Sequence, residues 1–150
     1  MSRIPGTPRL LGFAGILPQA IAAAAVYAGP EEWSEPARFV AFAYAALIFT
    51  FLGGAWWGLV ASAPAAQRRG THGWAWIAAV LPSLLALAGF VLLALELVPL
   101  EPLLVALGGG LLLSPVVDAK LGTLAPRWWM ALRVPLSLAL GVLTLAAALA

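Results

Sequence analysis

Cysteine is absent from this 150-residue chain, and histidine occurs once, at His72. The first absence excludes disulfides, thiol nucleophiles and cysteine-ligated metals. A lone histidine, solvated in a polar loop beside Arg68 and Arg69, cannot clamp a haem from both sides. Nor does any second histidine or acid stand at zinc-ligand spacing from it. Charge is scarce as well: 9% of residues are Asp, Glu, Lys or Arg, against roughly 25% in ordinary soluble domains. No nucleophile–base pair, phosphate-binding glycine loop or pair of carboxylates facing a cleft can be found. The sequence therefore offers no catalytic, cofactor-binding or metal-ligating centre, and the reading is of a protein that is not an enzyme. The net charge of +2 does not indicate a nucleic-acid partner either, because the basic residues are spread over short loops with no concentrated patch.

What the chain has in abundance is apolar length. Its residues are 63% hydrophobic, with a mean hydropathy of +1.01, more than a small water-soluble fold can hide. A bilayer-spanning helix needs about 20 mainly apolar residues. Five such segments are expected, at about residues 10–28, 37–61, 74–95, 99–117 and 128–149. The fold class is thus all-α: one domain, an integral membrane bundle of five transmembrane helices joined by short connections, so that sequential helices are antiparallel neighbours. Trp33, Trp74, Trp76, Trp128 and Trp129 fall at the expected helix ends, where indoles favour the headgroup level.

The few charges are sorted by side. Threading the chain five times places seven of the eight basic residues on one side and five of the six acids on the other. The exceptions are Arg38 and Asp118. Lysine and arginine are retained on the cytoplasmic side, so the N-terminus is expected to be cytoplasmic and the C-terminus on the opposite side. The first segment resembles a signal peptide ending at Ala28, but Pro18 and Gln19 interrupt it and Pro30 follows. It is read as a retained first helix.

Inside a bilayer, helices associate through close backbone approach and interhelical hydrogen bonds. The second segment carries small residues at four-residue spacing, Ala46, Thr50, Gly54, Gly58 and Ser62, with Gly54 and Gly58 at the centre and Gly53 widening the groove. The first offers Ala20, Ala24 and Ala28, the fourth Ala106, Gly110 and Ser114 followed by Asp118, and the fifth Ser137 and Gly141. These stripes are expected to pack within the monomer; a homodimer face or a partner subunit is the alternative. Pro18, Pro82, Pro115 and Pro135 each remove a backbone donor from an apolar segment.

Ionisable groups in membrane segments are costly and mark candidate sites. Asp118, one turn beyond Ser114, and Arg133, over one turn into the fifth segment, are expected to form a buried ion pair locking those helices together; independent solvation, with Arg133 snorkelling to the headgroups, and a proton or ligand site are the alternatives. Gln19 and the glycine-flanked Trp56 and Trp57 are expected to serve packing and interhelical hydrogen bonding; a candidate pocket formed by Gln19, Trp56 and Trp57 is the alternative.

Several segments carry a resemblance. They are Leu11-Gly12-Phe13-Ala14-Gly15-Ile16-Leu17-Pro18, Phe51-Leu52-Gly53-Gly54-Ala55-Trp56-Trp57-Gly58, Leu81-Pro82-Ser83-Leu84, and Asp118 followed by Leu124-Ala125-Pro126-Arg127-Trp128-Trp129 and Leu132-Arg133. In order and spacing the chain resembles the bacterial branch of the uncharacterised domain-of-unknown-function 3429 family, whose animal members are called transmembrane protein 69. The resemblance implies a multi-span protein of the bacterial inner (cytoplasmic) membrane and carries over no activity. Relatives often hold a polar or basic residue where this chain has Trp56, which favours a structural role for that segment here. The five-helix, tryptophan-rich translocator group is similar in size alone, since its Trp-Pro-rich segments are missing. The expected function is that of a non-catalytic accessory, assembly or scaffolding protein beside another inner-membrane protein or complex. A small-molecule or lipid-binding protein or transporter with a Trp-lined pocket is the alternative.

Overall fold

The computed structural model describes residues 4–64 and 73–150. Among these residues there is no strand. Six α-helices form the bundle among the described residues: α1 (Gly6–Ala14), α2 (Leu17–Ala28), α3 (Ser34–Ser62), α4 (Gly73–Ala94), α5 (Leu100–Leu121) and α6 (Trp129–Leu149). Together α1 and α2 make one crossing, so five helical stretches are long and apolar enough to span a bilayer. This is a multi-pass membrane architecture. His72, Arg68 and Arg69 lie outside the described residues.

Local chemistry sets the helix ends. The α1–α2 break falls at Gly15-Ile16, just ahead of Pro18. The Tyr44 hydroxyl donates to the Gly15 carbonyl oxygen at 2.6 Å, satisfying an acceptor at the break. Ala63, held extended by the following Pro64, closes α3. Gly122, at φ 53° and ψ −115°, closes α5 in a conformation that a Cβ would oppose. The α4–α5 turn is a Schellman motif, with Leu97 N–H bonded to the Leu92 carbonyl and Glu96 N–H to that of Leu93. Its left-handed residue is Glu96, at φ 55°, where glycine is the usual occupant.

Of the four interior prolines, only Pro18 coincides with a break. Pro82, Pro115 and Pro135 sit inside continuous helices. At Pro115 the reason is visible: the missing N–H would have served the Leu111 carbonyl, and the Ser114 hydroxyl donates to that oxygen instead, at 2.8 Å.

Helix α3 is central and touches α2, α4, α5 and α6, while α5 and α6 pack along their length. The buried core includes small side chains of α3 and α4, Ala41, Ala45, Ala75, Ala79 and Ala86, with Phe42 and Leu52 among them. Many larger side chains, such as Leu47, Phe51, Ile77 and Leu113, project outward. That is the reverse of a soluble core, and it suits a solvent as apolar as leucine.

The close helix approaches include Gly141 of the expected stripes but also Gly53 and Gly108, which lie off them. A Cβ on Gly53 would collide with the Ala79 carbonyl oxygen of α4. Gly108 and Gly141 face each other across α5 and α6, and a Cβ built on each would lie 3.2 Å and 3.0 Å from the other's carbonyl oxygen. Gly110 meets the Phe49 ring, and Ser114 is buried. The expectation for Gly54 and Gly58 does not hold: both face outward, with nothing within 4 Å of an added Cβ. Ser62, Ala24, Ala28 and Ala106 are exposed as well. With 3.6 residues per turn, each four-residue step advances about 40° round the helix. A five-position stripe therefore winds from the buried Ala46 to the exposed Ser62.

Candidate functional site

Asp118 and Arg133 meet, as their positions at neighbouring ends of α5 and α6 suggest. Arg133 Nε donates to Asp118 Oδ2 at 3.1 Å, and Asp118 is 1% exposed. Two indoles complete the carboxylate's partners: Trp56 Nε1 and Trp129 Nε1 each donate to Oδ1 at 2.8 Å. Trp56 comes from α3, so one carboxylate ties three helices together. Charge-assisted bonds of this kind are the strong class.

A second layer of the cluster lies one turn deeper. The Ser114 proton is committed to the Leu111 carbonyl, so the 3.0 Å bond between Ser114 and Ser137 takes its proton from Ser137. Arg133 Nη2 reaches both hydroxyl oxygens at 3.4 Å. Arg133 Nη1 makes no hydrogen bond to any described residue.

The ion pair also accounts for the charge pattern. Asp118 is the acid on the basic side, and it is paired. Arg38 is the basic residue on the acidic side; its guanidinium lies 2.7 Å from Glu35 and 3.6 Å from Glu101. Both departures from charge sidedness are thus neutralised locally.

Gln19, Trp56 and Trp57, the residues of the alternative pocket, do not come together in the structure. Gln19 is wholly buried between α2 and α6, where Nε2 donates to Thr144 Oγ1 at 2.9 Å and Oε1 has no partner. Trp56 is buried in the ion-pair cluster. Trp57 is 49% exposed and packs edge-on against Trp76, with ring centroids 4.6 Å apart. Consecutive helical residues are about 100° apart and cannot share a face. Trp129, expected at the headgroup level, is instead a ligand of Asp118. Its signal was its position four residues before Arg133, on the same helix face.

The network borders two openings. A crevice of about 330 Å³ runs along α1, α3 and α6, lined almost entirely by apolar side chains, with Trp129 and Arg133 in its wall. A hollow of about 530 Å³ at the basic end is lined by Asp118, Trp129 and Arg127. Among the described residues, no three His, Cys, Asp or Glu side chains gather where a metal could be held.

Residues 4–149 match the model of a family described as a protein of unknown function, DUF3429. The chain belongs to that family. The match takes in the whole DUF3429 ion-pair cluster, from Trp56 to Ser137, and both openings beside it. No curated protein and no solved structure is detectably similar.

Proposed function

We propose that this DUF3429 protein is a non-catalytic accessory or scaffolding protein of the bacterial inner membrane, with its N-terminus cytoplasmic. The observation that carries this reading is how the polar core is used. Asp118, Trp56, Trp129, Ser114 and Ser137 bond to one another and to backbone, and so join helices. Such a cluster holds a shape and leaves association to the outer surface. That surface includes the open glycine face of α3, where Gly54 and Gly58 lie beside the exposed Phe51 and Trp57. An uncovered small-residue face is the kind of surface on which transmembrane helices associate. The sorting of charge supports the orientation.

The test is native-gel separation of gently solubilised membranes carrying a C-terminally tagged chain, with mass spectrometry of each band. Co-migration with a larger membrane complex is expected, and it should be lost in the Gly54→Leu/Gly58→Leu double variant at unchanged abundance. Migration of the tagged chain as a lone monomer would overturn the reading. A homodimer sensitive to the same double variant would replace the partner with a second copy.

A further inference from the structure

Within the lateral crevice, one polar group stands apart. Arg133 is buried to 7% exposure, and two of its nitrogens are engaged within the cluster. Nη1 makes no hydrogen bond to a described residue, yet it is not among the fully enclosed polar atoms that lack a partner. It is the guanidinium nitrogen left free to bond, and Arg133 is the one charged side chain in the crevice wall. The remaining wall is apolar and partly aromatic, from Leu11, Gly12, Phe51, Trp128 and Leu136. The crevice opens sideways, along the same wall as the exposed Leu11 and Phe51.

We propose that this crevice binds an uncharged lipophile with a carbonyl oxygen on a flat ring, the quinone class, with that oxygen accepting from Arg133 Nη1. Three properties select this chemistry. The first is charge: Asp118 already neutralises the guanidinium, so a carboxylate or phosphate would place a second anion in a low-dielectric site. The second is hydrogen bonding. A carbonyl only accepts, whereas a hydroxyl brings a proton that needs an acceptor, and Asp118 already takes three donors. The third is shape. About 330 Å³ holds one ring against the indoles and Phe51, and the side opening lets an apolar tail run into lipid. The hollow at the basic end reaches Asp118 from the other side, so the polar end of the ligand would sit one ion pair away from the aqueous phase.

The experiment uses the full chain in phosphatidylcholine nanodiscs, with decylubiquinone as probe. Binding is read as a saturable rise in unfolding temperature and as a mass adduct under native conditions. The wild-type chain is expected to show both. Leu11→Trp, at an exposed residue of the crevice wall, should keep the ligand-free unfolding temperature and weaken apparent affinity at least tenfold. Arg133→Lys, which keeps a cation opposite Asp118 but offers one nitrogen, should fold and lose the temperature rise. Oleate and cholesterol should give no saturable effect. An absent effect in the wild type would overturn the proposal. So would an equal effect in Leu11→Trp, which would show mere partition into lipid, and so would saturable binding of oleate or cholesterol in place of decylubiquinone.

Discussion

Replacing Asp118 by asparagine should be among the most damaging single changes this chain can undergo for its size. The side chain keeps its shape and one oxygen, so the Trp56 and Trp129 indoles can still donate to Oδ1. What is lost is the negative charge facing Arg133, and an amide N–H₂ is brought against the guanidinium Nε at the 3.1 Å contact. Removing one partner of a buried ion pair costs about 3–5 kcal/mol. Neutral hydrogen bonds between membrane helices are worth only about 0.6 kcal/mol on average. The charge decides, because the guanidinium remains buried with no counter-ion. A loss of about 3 kcal/mol is expected. It is measurable by titrating SDS into mixed micelles and following far-UV ellipticity, and visible as reduced abundance in membranes. Arg133→Met added to Asp118→Asn should recover most of that loss, since it removes the stranded charge. Trp56→Phe, which removes a single donor and leaves two, should cost about 1 kcal/mol. A stability for Asp118→Asn within 0.5 kcal/mol of wild type would refute the claim that this pair locks the bundle.

Other outcomes follow from particular contacts. Gly53→Ala should destabilise by about 1–3 kcal/mol, because its Cβ would strike the Ala79 backbone, while Gly54→Ala one residue on should change stability by less than about 0.5 kcal/mol; the same SDS titration checks both. Glu96→Gly should raise stability by about 0.5–1 kcal/mol, since the left-handed backbone at φ 55° costs a residue with a Cβ roughly 1–2 kcal/mol, partly offset by the entropy of glycine. Gln19→Leu combined with Thr144→Val should be close to neutral, because the pair is removed together and the unpartnered Oε1 goes with it. The chain has no cysteine, so single cysteines report orientation. An impermeant maleimide should label Glu32→Cys in intact cells with a permeable outer membrane, and Thr123→Cys only after lysis; the reverse pattern would overturn the orientation.

Much of the architecture was legible because it rests on one-dimensional signals. Apolar run length marks the five crossings, and the helix ends differ from the expected spans by a few residues, where capping and 3₁₀ turns decide. The Asp118–Arg133 pair was legible because the two residues flank a short connection between adjacent helices. Trp56 was not, because its contact with Asp118 spans 62 residues of sequence, and which face of α3 turns inward depends on how the other helices surround it. The glycine stripe misled for the same reason: spacing along a helix gives faces relative to each other but not relative to the bundle. Gly53, one position away, makes the contact that Gly54 was expected to make. The crevice was illegible because it exists only where the broken first crossing stands beside α3 and α6.

The three donors to Asp118 also arrive in order during synthesis. Trp56 is in the second crossing, Asp118 in the fourth, and Trp129 and Arg133 in the fifth. A chain with four crossings inserted holds the Asp118 carboxylate with a single indole, Trp56, and without Arg133 as counter-ion. The fifth crossing supplies the other two bonds and the positive charge. Closure of the junction between α3, α5 and α6 therefore waits on the fifth crossing, because Asp118 has no counter-ion until Arg133 is in place.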